Sequence, residues 1–326
     1  MSSSQSTSRR RKRVSISKPS TNATPATNTN PTTTTRNSRP YDRDFQQNLI
    51  DGGVYPDGYR YPDGRVPTKP NNWKEINERL AQPRASLSLS NFSEEDFSDF
   101  KLADVDAFKE VQVMQSVIPI IKGKVTDAKC VSGNILFTNL DHLTDGTLVP
   151  GNPDLYYGAR PEQLNRQVRD ELSGQIVPST QHDLPILPNF VLAAKGPDGS
   201  AAVAGRQASY DGALGARAMH SLQSYGQDKP TYDNNAYAIT SIYHNGQLKM
   251  YTSYPAQPNG PGSRPEYYMT QLGAFAMTNN LKTCVDGLQA FRNARDWTKE
   301  QRDEAIKLAN ERANDRLPTD SIFVSE

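Results

Sequence analysis

The residues with chemistry to offer lie in one stretch, residues 148–225, in three pieces: LVPGNPDLYYG with Asp154, NFVLAAKG with Lys195, and GRQASYDGALGARAMHSLQSY with Gln207. Side chains alternate along a strand, so Ala193 and Lys195 share one face while Leu192 and Ala194 share the other. If the strand ending at Lys195 lies beside the one that Asp154 opens, carboxylate and ammonium converge near the strand ends. A carboxylate there can hold a divalent cation against a phosphate, and the lysine can orient attacking water or neutralise developing negative charge. The same two groups could equally form a structural ion pair, because a lysine near a sheet interior must pair or shift its pKa.

The elements that must position these groups follow from periodicity. Residues 190–195 are almost continuously apolar, as a strand covered on both faces is. Residues 147–157 form another strand, whose regular pairing starts near Asp154 because Pro150 and Pro153 precede it. Residues 135–140 (ILFTNL) read as the strand before it. Pro161 at a helix start, Leu164, Val168 and Leu172 at i+4 intervals and Gly174 beyond the end define an exposed helix. A longer helix over 201–225 aligns Val203, Gln207, Tyr210, Leu214, Ala218, Leu222 and Tyr225 on one stripe, so the Gln207 amide faces the core and needs partners. Asn245-Gly246 joins strands 237–244 and 247–254 as a hairpin. Helices over 267–277, 280–293 and 298–313 follow, the last opened by a Thr298/Gln301 capping box.

Upstream, two YPDG tetrapeptides (55–58 and 61–64) are surface β-turns and residues 73–80 a short helix. Ser93 and Asp96 form a capping box for an amphipathic region reaching about residue 118. There Phe97, Phe100, Val105, Phe108 and Val111 share a face, Glu110 lies within, and Pro119 ends or kinks it. This order of elements predicts the α/β fold class with a helical C-terminal cover. It divides the chain into a disordered basic tail (1–40), a turn-rich segment with a short helix (41–92), the α/β domain (93–315) and a flexible tail (316–326).

The formal charge of +1 conceals an asymmetry. The first forty residues carry eight Lys or Arg and no acid, leaving 29 basic against 36 acidic residues beyond, a formal −7. Backbone binding of nucleic acid is driven by clustered cations, so an acidic domain needs a local groove to bind DNA strongly. The run RRRKR at 9–13 can be read by an import receptor, touch nucleic acid, or merely solubilise. Cys130 and Cys284, far apart and outside metal-ligand spacing, read as buried thiols. His142, His182, His220 and His244 form no metal-spaced pair, and neither a nucleophile elbow nor a GxxxxGK[ST] loop occurs. No apolar run approaches the roughly 18 residues of a membrane helix, and no signal-peptide core is present. The expectation is an intracellular protein of the nucleus or cytoplasm.

Pro153-Asp154, Ala193-Ala194-Lys195 and the Gln207 helix together resemble the PD-(D/E)XK superfamily of restriction-endonuclease-like nucleases. More closely, residues 55–313 resemble an uncharacterised fungal family assigned to that superfamily, through NLDHLTDGTLVPGNPDLYYGARPEQL and FVLAAKGPDG. The resemblance implies a central mixed sheet flanked by helices, Asp154 as a metal ligand, Lys195 as the catalytic lysine, and Arg206 and Gln207 facing the site. It also exposes a departure, because the second acid belongs at position 193, which is alanine. One carboxylate is a poor magnesium site. Glu110 could supply the missing acid and metal ligand from the N-terminal helix, as in some members of the superfamily; Asp211 and Asp198 are further candidates. Three functions remain open: a degenerate nuclease-like protein associated with nucleic acid, a noncatalytic scaffold that binds a protein partner, and a magnesium-dependent nuclease with Glu110 as relocated acid.

Overall fold

The structure, a computed structural model, describes residues 37–316 apart from residues 89, 182, 259, 261 and 262. The expectations for most of the basic tail, the end of the C-terminal tail and His182 therefore lie outside the described residues. Helix α1 spans Phe45–Asp51, strand β1 Val54–Tyr55 and helix α2 Trp73–Leu80; α3 (Glu94–Val105), α4 (Glu110–Gln112), a π-helical turn (Val113–Val117) and α5 (Ile118–Lys122) follow. Then come β2 (Val131–Ser132), β3 (Leu155–Ala159), α6 (Arg166–Glu171), α7 (Ser173–Ile176), β4 (Ile186–Lys195) and α8 (Ala201–Ser224). The last elements are β5 (Ala238–His244), β6 (Gln247–Ala256), β7 (Glu266–Ala276) and α9 (Leu281–Asp315).

The strands form one seven-stranded mixed sheet in the order β1-β7-β6-β5-β4-β3-β2. β4 and β5 run parallel, which requires a crossover, and α8 supplies it. Both faces are covered. On one, Leu155, Tyr157, Phe190 and Leu192 pack with Phe97, Phe100, Leu288 and Phe291 of α3 and α9. On the other, Tyr156 and Val191 pack with Tyr210, Ala213 and Leu214 of α8. Every residue of β4 is buried, as its near-continuous apolar run suggests, and the buried polar Asn189 and Lys195 within it find partners. No helix among the described residues is long and apolar enough to cross a membrane.

Several expectations are corrected. Residues 135–140 form no strand: Thr138 donates to the Leu136 carbonyl in a turn, and Phe137 alone of this run is fully buried, edge-on against Tyr156. Regular pairing of β3 begins at Leu155, next to the expected Asp154, but the chain from Thr147 to Asp154 is irregular and not strand apart from a bridge between Ser38 and Leu148. The expected helix after Pro161 is broken into a 3-10 turn (Pro161–Gln163), α6 and α7, with Gly174 inside the last. Residues 267–276, expected as most of a helix over 267–277, are strand. Tyr267 and Met269 face α8 while Tyr268 and Leu272 face α9, and aromatic alternation plus pairing along all of β6 outweighs helical periodicity.

The two C-terminal helices are one, α9. The Thr298 hydroxyl donates to the Ala294 and Arg295 carbonyls (2.9 and 3.0 Å) within the helix and caps nothing; the capping box is at Asn280 and Thr283. The Ser93/Asp96 box is present, but its helix stops at Val105, and Val105, Phe108 and Val111 are exposed where an apolar face was expected. Pro119 does not end the helical run, which continues to Lys122, and it directly follows the π-helical turn Val113–Val117, the kind of irregularity that accompanies a kink. Both cysteines are free; Cys284 is buried, whereas Cys130 is partly exposed and donates to Asp127.

Candidate functional site

Strands β3 and β4 pair antiparallel with Leu155 opposite Leu192 and Tyr156 opposite Val191. Carried one residue further, that register sets Asp154 across from Ala193, at the edge where the ladder ends. Asp154 closes the ladder: its Oδ2 accepts the Ala194 backbone N–H at 2.7 Å, so a side chain replaces the missing strand carbonyl. The Asp154 side chain is thereby held on the sheet face covered by α8, which Ala193 and Lys195 share. Two close backbone approaches fix the geometry. A Cβ at Gly133 would stand 2.1 Å from the Asp154 carbonyl oxygen, and one at Gly151 would stand 2.6 Å from Asp211 Oδ1.

Lys195 is 2% exposed, so its ammonium must find compensation inside the protein. It donates to Glu110 Oε2 at 2.8 Å and to the Ala194 carbonyl at 2.8 Å, and Asp154 Oδ2 lies 3.7 Å away. Glu110 arrives from far along the chain because the backbone of Lys109 and Glu110 rests on Gly196. A Cβ there would stand 2.8 Å from the Glu110 nitrogen. Lys109 pairs in turn with Asp198 at 3.3 Å, so this segment is strapped to the turn after β4 at two points. Glu110 remains about 43% exposed, which leaves the cluster one opening to solvent.

Asp211, one turn beyond Gln207 on α8, is the third carboxyl group of the neighbourhood. Burial pushes its pKa up to about 8, and the negative charge of Asp154 adds to the rise while Lys195 opposes it. Burial likewise raises Asp154, against the stabilising effect of Lys195 and the Ala194 N–H. The Glu110–Asp154–Lys195 group sets two carboxyl groups around one amine, a donor set better suited to a cation than to an unescorted phosphate.

Sequence reasoning singled out Glu110, Asp154 and Lys195, and the structure brings these three together. Gln207 does not hydrogen-bond to them: its Oε1 is buried without a hydrogen-bond partner. Arg206 is turned to the N-terminal segment, donating to the Pro40 carbonyl at 2.7 Å. Asp198 lies at the exposed turn with Lys109. No group of three or more His, Cys, Asp and Glu converges into a metal cage among the described residues. Two carboxylates nonetheless meet the protein's share of a magnesium site, which completes its octahedron with water and phosphate oxygens. Asp154 and Glu110 would hold such an ion, and it would have to compete with the Lys195 ammonium between them. Overlooked by sequence reasoning were Gly133, Gly151 and Gly196, whose missing side chains let three segments close on the site.

A family model described as a domain of unknown function (DUF7924) matches residues 109–309, a span that begins at the Lys109–Glu110 strap and takes in every group of the cluster. No curated protein and no solved structure matches the chain.

Proposed function

We propose that this chain, which belongs to the DUF7924 family, is a nuclease-like, nucleic-acid-associated protein of the PD-(D/E)XK kind, in which Glu110 stands in for the acid absent at position 193. The carrying observation is the buried Lys195 ammonium between Glu110 and Asp154, beside Ala193 at the end of β4. Asp154 and Glu110 would hold a divalent cation here, and such an ion would supply charge screening toward a phosphodiester. Lys195 is the cation placed to donate to a phosphate oxygen or to orient the attacking water. The Glu110 carboxylate hangs from a surface segment and not from the strand, so it is less rigidly aimed than a strand acid would be, and catalysis is weak.

The test is incubation of the full-length protein with single- and double-stranded DNA and RNA in magnesium or manganese at low salt. Metal-dependent binding with slow cleavage is expected, and both metal dependence and cleavage should fall at least tenfold in Glu110→Gln and in Lys195→Met. Absence of binding to every substrate, or cleavage indifferent to both substitutions, removes the assignment.

A second reading, a noncatalytic scaffold, is favoured by one observation: Leu102, Val105, Phe108 and Val111 are all 58–64% exposed around the segment that carries Glu110. Such apolar surface suits a protein partner. This reading expects Val105→Ser with Phe108→Ser to abolish a complex recovered by crosslinking while Asp154→Ala leaves it intact; the reverse pattern rejects it.

A further inference from the structure

On the sheet face opposite α8, a cavity of about 230 Å³ opens between β3, helix α9 and the chain around residues 124–130. Helix α9 brings Arg295, Lys299 and Arg302 to it at spacings of three and four, one helical face. Arg84 and Lys124 add two more cations from the connections after α2 and α5. Two carboxylates line the cavity with these five, and both are engaged: Asp127 accepts from Arg160 at 2.7 Å, and Asp296 accepts from Arg84 at 2.7 Å and Arg295 at 3.0 Å, while Lys299 pairs with Asp303 outside the lining. The cavity lining thus carries three net positive charges, in a chain whose residues beyond the first forty sum to −7.

Arg302 is the decisive residue. It is 2% exposed, one of its terminal nitrogens donates to Asn189 Oδ1, its Nε has no hydrogen-bond partner, and no carboxylate pairs with it among the described residues. Burial pushes its pKa down to about 10, which leaves it cationic at neutral pH. A buried guanidinium without an acid is costly, and a fold keeps one where an anion arrives to complete it. A second buried donor faces the same space. The Tyr157 hydroxyl lies beside the Arg295 guanidinium without a well-formed hydrogen bond, and burial raises its pKa against the pull of that cation, so it stays protonated and able to donate. Fixed guanidinium donors, a hydroxyl and the Lys124 ammonium around a small volume, with Lys299 at the rim paired to Asp303, match a tetrahedral oxyanion of more than one charge.

We propose that this cavity is a binding site for a phosphate group, free or as the terminal group of a small phosphate monoester, held by Arg302, Arg295 and Tyr157 and admitted past Lys124 and Lys299. It lies on the other side of the sheet from Asp154 and Lys195 and does not depend on the activity assigned to them.

The experiment is calorimetric titration of the full-length protein at constant ionic strength, with inorganic phosphate in one arm and glycerol 3-phosphate in the other, chloride being the reference. Saturable binding in either arm is expected; the arm that binds more tightly identifies the source of the phosphate. Arg302→Met should abolish binding, Tyr157→Phe should weaken it several-fold, and the surface pair Lys124→Ala/Lys299→Ala, which spares the core, should weaken it at least tenfold with an unchanged circular dichroism spectrum. Absence of saturable binding in both arms overturns the proposal. So does binding unaltered in the Lys124→Ala/Lys299→Ala variant, which decides the matter even if Arg302→Met fails to fold.

Discussion

Asp211→Asn should stabilise this protein, and by an amount that depends on pH in a defined way. Asp211 is 2% exposed on α8, packed against Gly151, and burial together with the charge of Asp154 raises its pKa from 3.8 to about 8. In the unfolded chain the group ionises near pH 4; in the folded protein it holds its proton until about pH 8. Between those values the folded state binds one more proton than the unfolded state, so stability falls as pH rises. The contribution is fully present below pH 4 and is lost by about pH 8. At about 1.4 kcal/mol per pH unit the whole loss has an upper limit of about 6 kcal/mol.

Asparagine keeps the shape of the protonated acid and does not titrate. Urea unfolding of the wild type and of Asp211→Asn, followed from pH 4.5 to pH 9 in the presence of a chelator, isolates the effect. The stability difference in favour of the variant should widen steadily up to about pH 8 and then level off. Parallel stability curves across that range would refute the argument, because they would mean that Asp211 ionises alike in both states. A wild type that gains stability on this residue's account as pH rises would show that its charge is paired.

Ala193→Glu places an acid across from Asp154 and tests whether the scaffold still accepts the two-carboxylate arrangement on its strands. The variant should melt below the wild type in chelator and recover in manganese, where ligand at a hundred times Kd is worth about 2.7 kcal/mol; recovery equal to that of wild type speaks against a metal position there. Gly133→Ala should destabilise by about 3 kcal/mol in urea unfolding, because its Cβ meets the Asp154 carbonyl at 2.1 Å and backbone cannot easily yield. Gly205→Ala, in the same assay, should stabilise by about 1 kcal/mol, since nothing lies within 4 Å of its new methyl and the position is mid-helix. Glu300→Pro should cost about 3 kcal/mol or more by thermal melting, because α9 runs unbroken through residue 300; a small change would mean that the helix is divided there after all.

The legibility of the fold followed its local signals. The apolar run of β4, the Asn245-Gly246 hairpin, the Ser93 box and the stripe of α8 each depend on residues a few positions apart, and each was readable. Strand β7 was not, because its Tyr-Tyr-Met-Thr-Gln-Leu sequence suits a helix until β6 offers ten partners along its length. The break in α9 was expected at Thr298 because a hydroxyl that bonds back to its own helix looks, in sequence, like one that caps the next.

For the site, strand alternation sufficed to set Lys195 beside Ala193, and hence to show that an acid is absent from that face. Where a replacement would come from was not written in any period. Glu110 reaches Lys195 across 85 positions of sequence, and what permits it is a glycine. With any side chain at position 196, the Lys109–Glu110 backbone would be pushed off the end of β4, and the buried lysine would be left with the Ala194 carbonyl and, as its one carboxylate, Asp154 at 3.7 Å. An ammonium that close to full burial needs more than one distant carboxylate. The residue after the lysine thus determines whether an acid can be delivered from outside the sheet, and Gly196 accounts for a strand that carries alanine at 193 and still has a second carboxylate at its end.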